Sequence, residues 1–200
     1  MKRGVYLLAL ALAAQPPEQD PVFGTTVYSS AGLTGKVYFV SPDSTQLPRF
    51  RESRAVGSVY TTSLNIPPQP FTQGFPGIAN RFEWFGIDYR GKIWIENPGV
   101  YEFRLLSDDG SKFWINNRLV IDNDGLHSPA ALTASAKLSR GLFQFRIAYF
   151  QGPRMDVALI FSVRPPEKPW SIFNTDNFLA PAAEALPEGK VSEVKRASNW

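Results

Sequence analysis

The sequence predicts an all-β fold, an antiparallel β-sandwich or barrel, on three observations. Apolar and polar residues alternate over several short stretches, aromatic residues make up 14% of the 200-residue chain, and 17 prolines and 15 glycines punctuate it. Alternation with period two places every second side chain on one buried face. Aromatic side chains suit a pleated, half-buried surface, and no amphipathic helical stretch of any length interrupts the pattern. An apolar content of 44% is enough for one domain with a real core.

The elements follow in order. Met1-Lys2-Arg3 and the apolar run Val5 to Ala14 have the form of a secretory signal over residues 1–14, with cleavage after small residues. That run is about ten residues, half the roughly 20 that a membrane-spanning helix needs. Residues 15–30, with Pro16-Pro17 and Pro21, read as an extended linker. The sandwich domain is expected over 31–164. Its first strand covers Leu33 to Val40; Ser41 to Phe75 reads as long loops with a short strand near Val56 to Leu64.

Phe82, Trp84, Ile87 and Tyr89, then Ile93 and Ile95, precede a turn at Asn97-Pro98-Gly99. Tyr101, Phe103 and Leu105 alternate with Glu102 and Arg104, and after Ser107-Asp108-Asp109-Gly110 the pattern resumes with Phe113 and Ile115. Asn116-Asn117 marks a turn into Leu119 and Ile121. Phe143 to Tyr149 and Val157 to Val163 alternate again, joined by Gln151 to Met155. Beyond Arg164 lies a Pro-rich segment, 165–200, in which Trp170, Ile172, Phe173 and Phe178 dock on the sandwich. Ala180 to Trp200 has few large apolar residues and reads as a mobile tail.

Charge and cysteine usage narrow the function. The formal charge is +3; Lys2 and Arg3 of the signal account for two of it, leaving +1 on the remainder. The other cations are scattered among acids, with no basic block of the kind nucleic acid selects. There is no cysteine, hence no disulfide and no thiol chemistry, and the sequence holds one histidine and no Gly-x-Ser-x-Gly elbow. Export without cysteine fits a bacterial secreted, periplasmic or cell-surface setting.

Asp108 and Asp109 are the residues of most chemical interest. Adjacent carboxylates at a strand end are costly unless a cation or several donors satisfy them. Two readings stand: a Ca²⁺ site of modest affinity, about 10⁻⁴ to 10⁻³ M, or a tight acidic turn shaping a hairpin. Acid–base catalysis at this pair is disfavoured, since glycosidase carboxylates flank the scissile bond from separate positions about 5 to 9.5 Å apart. Asn123, Asp124 and His127, on the following loop, are candidate ligand-binding residues that would face the same end. A lone histidine makes a poor zinc site, and hydrogen-bonded support is the plainer role for His127. Trp114 is a candidate sugar platform, because Phe113 and Ile115 take the opposite face and leave it with Lys112 and Asn116. Trp94 and Tyr149 read as core.

Gly35-Lys36-Val37-Tyr38, Arg90-Gly91-Lys92-Ile93-Trp94-Ile95, Asn97-Pro98-Gly99, Ser107 to Ser111, Phe113-Trp114-Ile115, Leu119 to Asn123 and Asp124-Gly125-Leu126-His127 form an ordered series that resembles the PA14 domain. The resemblance implies a non-catalytic β-sandwich binding module. In lectin members of that family two adjacent Asp residues joined by a cis peptide hold a Ca²⁺ that contacts sugar hydroxyls, and Asp108 and Asp109 match those positions. Further ligands come there from a second loop. Its equivalent here is Gln151 to Asp156, which lacks Asn and offers Asp156 as the third oxygen-rich candidate. The expected partners are glycans or cell-surface polysaccharide. The alternative is a metal-free structural or protein-interaction module of the cell envelope.

Overall fold

The computed structural model describes residues 32–196, apart from 73, 79–80 and 183–184. The expected signal and the linker before residue 31 lie outside the described residues. Twelve strands are described: β1 (Leu33–Phe39), β2 (Gly57–Thr61), β3 (Asn65–Pro70), β4 (Phe85–Ile95), β5 (Gly99–Asp108), β6 (Ser111–Ile115), β7 (Arg118–Asn123), β8 (Ala130–Leu138), β9 (Gly141–Gln151), β10 (Asp156–Arg164), β11 (Ser171–Ile172) and β12 (Val191–Arg196). Short 3-10 turns at Phe50–Glu52 and Thr175–Phe178 are the helical segments among the described residues.

The strands form two sheets. The first runs β2-β1-β4-β9-β6-β7; the second runs β11-β10-β5-β8-β12, with β3 also beside β10. Each of these strand pairings is antiparallel. The chain is the all-β sandwich that its alternation predicts. Inward residues of both sheets meet in an aromatic core. Phe113 of β6 lies 4.8 Å from Phe145 of β9 and 4.8 Å from Phe161 of β10, and Phe103 of β5 lies 5.0 Å from Phe113. Phe173 stacks on Phe145 at 4.7 Å, so the docking expected of the segment after Arg164 is present. Offset and edge contacts of this kind add to the large area that each ring buries.

The Asn116-Asn117 turn between β6 and β7 has both residues at positive φ, 46° and 62°, the conformation a two-residue hairpin needs and asparagine tolerates. The acidic segment behaves differently. β5 pairs with β10 and β8 in the second sheet, whereas β6 pairs with β7 and β9 in the first. Asp108-Asp109-Gly110 is therefore a crossover between sheets at one end of the sandwich, and the hairpin reading is corrected. Asp-Gly carries a turn signal, but strand pairing follows from which faces must be buried, and that is a long-range matter.

The C-terminal segment is a second correction. Val191–Arg196 forms β12 on β8, where the composition suggests a mobile tail. Backbone pairing needs little apolar area. Asn116 Nδ2 donates to Gly189 O at 2.9 Å, Arg118 donates to Val191 O at 3.1 Å, and Arg196 donates to Leu119 O at 2.8 Å. Gly189 lies flat against the Phe143 ring, where even a methyl group would come within 2.0 Å.

Candidate functional site

The crossover is built from buried polar groups held by three different segments. Ser107 Oγ and Ser111 Oγ lie 2.7 Å apart, and Asn123 Nδ2 donates to Ser107 Oγ at 3.0 Å and to Ala130 O at 3.1 Å. Phe150 N donates to Gly110 O at 2.8 Å. The fully buried Tyr149 hydroxyl lies 2.6 Å from the Asp108 carbonyl oxygen and also touches Gln151 Oε1, so one proton serves two acceptors. Gln151 Nε2 in turn donates to Asp156 O at 3.1 Å. These bonds bind β5, β9 and β10 together beneath the two acids.

The Asp108–Asp109 peptide bond is cis. Both residues are 6% exposed, yet their carboxylates are satisfied very differently. Asp109 Oδ1 accepts from His127 N at 3.1 Å and Oδ2 from Gly152 N at 2.8 Å, so one side chain joins the two neighbouring loops. Burial raises its pKa, and these two backbone donors pull it back. The Asp108 carboxylate has no hydrogen-bond donor among the described residues. Burial, followed by the charges of Asp109 and Asp156, pushes its pKa up to about 7, with His127 opposing. A buried carboxylate beside a second one, with no protein donor, is an all-oxygen set that suits a hard cation.

Asp156 opens β10, two residues from Ala158, the register partner of Asp108. It is close enough to raise the Asp108 pKa. Among the described residues, however, no three His, Cys, Asp or Glu side chains are grouped closely enough to hold a metal ion by themselves.

The loop residues singled out from sequence ring this pair as supports. Asp124 Oδ1 accepts from Leu47 N at 2.8 Å and Gly125 N at 2.9 Å, and its other oxygen pairs with Lys112 at 2.9 Å. The Asn123 amide nitrogen is committed to Ser107 and Ala130. His127 presents its backbone to Asp109, while its ring nitrogens face Asn123 O at 3.1 Å and Ser128 O at 2.9 Å. These contacts tie the loops in place.

Trp114 does not join them. It stands on the outer face of the first sheet, with the Arg146 guanidinium 4.4 Å from its ring centre and the Tyr38–Phe50 cluster beside it. Its face is the one alternation predicts; its distance from the crossover follows from its place, three residues beyond Ser111. Trp94 and Tyr149 are buried, as core. Sequence reasoning names the Gln151 to Asp156 loop and Tyr149 but misses the roles of the Tyr149 hydroxyl, the Gln151 amide and the Gly152 N–H. Tyr149 and Gln151 close β9 and Gly152 follows it, and only the pairing of that strand with β6 and β4 brings them under the acids.

Comparison with known proteins agrees with the fold. The chain matches the PA14 domain family over residues 29–171. No match was found among curated proteins. Among solved structures, the PA14 domain of MpAFP antifreeze protein is 20% identical, with a TM-score of 0.60, covering 73% of this chain and 88% of its own. The PA14 sugar-binding domain from an RTX adhesin is 17% identical, with a TM-score of 0.60, covering 72% and 96%. The Epithelial Adhesin 9 A domain from Candida glabrata, in complex with Galb1-3GlcNAc, is 14% identical, with a TM-score of 0.50, covering 74% and 88%. With the sandwich, the inter-sheet crossover and the cis Asp108–Asp109 pair in view, the match over residues 29–171 means that this chain belongs to the PA14 domain family.

Proposed function

We propose that this protein is an extracellular, non-catalytic carbohydrate-binding module that takes its glycan at the Asp108–Asp109 end of the sandwich in a Ca²⁺-dependent way. The observation that carries this reading is the Asp108 carboxylate, buried beside Asp109 and without a protein donor. Sugar-binding and adhesin domains of the same fold support the carbohydrate class. Asp108 and Asp109 would hold the ion, with Asp156 as the third acidic donor. A bound Ca²⁺ supplies neutralising charge and open coordination positions that vicinal hydroxyls can fill.

The chain's own residues do the rest. Asp109, clamped by Gly152 and His127, fixes the spacing of the two loops. Leu126 and Met155, 42% and 77% exposed, flank the acids with apolar surface for the carbon face of a sugar. The two adjacent acids sit on one crossover and cannot flank a glycosidic bond, which is why the module is read as non-catalytic.

The test is a thermal melt of the chain in chelator and across a Ca²⁺ titration, followed by a glycan array with and without the ion. Ligand at about 100 times its dissociation constant adds about 2.7 kcal/mol of stability. A Ca²⁺-specific rise in Tm, absent in Asp108→Ala, with glycan capture lost in Asp109→Asn, is the expected result. A melt unmoved by Ca²⁺, or capture of neutral glycans that survives chelator, would overturn the mechanism.

A further inference from the structure

The outer face of the first sheet concentrates positive charge far from the Asp108–Asp109 crossover. Strand register puts Thr34, Arg90, Arg146 and Trp114 in one row across β1, β4, β9 and β6. Lys36 and Asp88 lie in the adjoining row on one side, and Lys92 and Gln144 on the other. Two arginines directly opposite one another repel unless an acid lies between them. Asp88 supplies it. Its side chain is 5% exposed and accepts from Arg90 at 2.8 and 2.9 Å through Oδ2 and from Arg146 at 2.6 Å through Oδ1.

The consequence is a pair of guanidinium groups held in fixed positions. One carboxylate orients both, and the Trp114 ring backs Arg146 at 4.4 Å. Arg90 is still 54% exposed at its side chain. Lys36 and Lys92 are exposed and have no acid within ion-pair distance among the described residues. Four cations thus share this face with a single buried acid, which two of them contact. Two hollows of about 350 and 330 Å³ open on this face and share Thr34 and Arg90 as a common wall. Arg51 adds a fifth cation at the rim of the second.

We propose that this face is a second binding site, for the carboxylates of an acidic polysaccharide, a polyuronate in chemical class. Pre-oriented guanidinium groups match planar carboxylates, and the neutral hydrogen-bonding groups Thr34, Gln144 and Asn117 between them suit sugar hydroxyls. The patch is also short. Asp122, paired with Lys112, bounds it on one side, and Glu188, beside Lys92 and Gln144 in a neighbouring hollow, bounds it on another. A nucleic-acid duplex draws its affinity from many phosphate contacts along a longer basic run. The site is independent of the Ca²⁺ reading above and persists if that reading fails.

The experiment is calorimetric titration of the full chain with oligogalacturonate in chelator, which silences any Ca²⁺ site. The same oligomer with its carboxylates methyl-esterified is the neutral control, and duplex DNA of equal charge is the polyanion control. The oligouronate binds and weakens as NaCl rises from about 20 to about 200 mM, whereas the ester does not bind. Lys36→Gln with Lys92→Gln, which leaves the Asp88 network intact, weakens binding by about fivefold. Arg90→Gln weakens it further, with circular dichroism confirming the fold. Equal binding of the ester, an unchanged Kd in the lysine double variant, or DNA bound as tightly as the uronate would each overturn the proposal.

Discussion

The backbone N–H of Gly152 donates to Asp109 Oδ2 at 2.8 Å, and this contact leaves little space beside residue 152. A Cβ there would lie 2.4 Å from Leu126 Cδ2 and 3.0 Å from Asp109 Oδ2. Leu126 is 42% exposed and can turn aside, so Gly152→Ala is expected to act on Asp109, whose Oδ2 must give by a few tenths of an ångström. The cost is about 1 kcal/mol or less. Urea unfolding will show the loss, and the Ca²⁺-dependent rise in Tm should shrink with it.

Tyr149→Phe removes the buried hydroxyl that joins Asp108 O to Gln151 Oε1. The carbonyl and amide oxygens are left without their donor, which costs about 1 to 3 kcal/mol. A lower urea midpoint with an unchanged m-value is the expected outcome. A variant as stable as the parent would mean that the hydroxyl does not tie these strands.

The pH dependence in chelator has a definite sign. Asp108 is raised from 3.8 to about 7, so between those values the folded chain binds more protons than the unfolded one. Stability from this group is then fully present below about pH 4 and declines as pH rises toward 7. Melts in chelator at stepwise pH should show that decline, and Asp108→Asn should reduce it, leaving the smaller part due to Asp109, whose pKa burial also raises. A parent whose Tm is flat across that window, or a decline undiminished in the variant, counts against the Asp108 assignment.

Asp124→Ala separates support from ligation. It leaves Leu47 N without its acceptor and Lys112 with Asp122 alone, so stability should fall by about 1 to 2 kcal/mol. Glycan affinity at saturating Ca²⁺ should change by less than about threefold, under 0.7 kcal/mol. Loss of binding comparable to that of Asp109→Asn would make Asp124 part of the site.

Phe161→Ala opens a cavity where Phe103, Phe113, Phe145 and Phe173 converge from both sheets. Truncation of a buried phenylalanine costs about 3 to 5 kcal/mol, and chemical denaturation will measure it.

The strands with large alternating residues were legible from sequence, because period two with Phe, Tyr, Ile and Val has few other solutions. β8, Ala130–Leu138, was not legible. Its inward residues Ala134 and Ala136 are small, and the strand exists because β5 and β12 pair with it on either side. β3 carries three prolines' worth of contrary signal in its Pro-rich neighbourhood and is held by β10 alone. β12 offers Val191 and Val194 and otherwise depends on backbone pairing, which leaves no mark on composition.

Local sequence alone accounts for the all-β class, the Asn116-Asn117 turn, the outward face of Trp114 and the acidic pair as the residues of interest. These are local: each depends on side-chain periodicity or on the backbone preferences of one or two residues. Tertiary structure decided that Asp108-Asp109 crosses between sheets, that Asp109 is clamped by Gly152 and His127, and that Asp124 is spent on Leu47 and Lys112. It also put Arg90 and Arg146 on one buried Asp88, beside the tryptophan that alternation had left facing outward. Apart from Arg90 with Asp88, these contacts join residues 12 to 77 positions apart, and burial of both inner faces selects them once all the strands are in register.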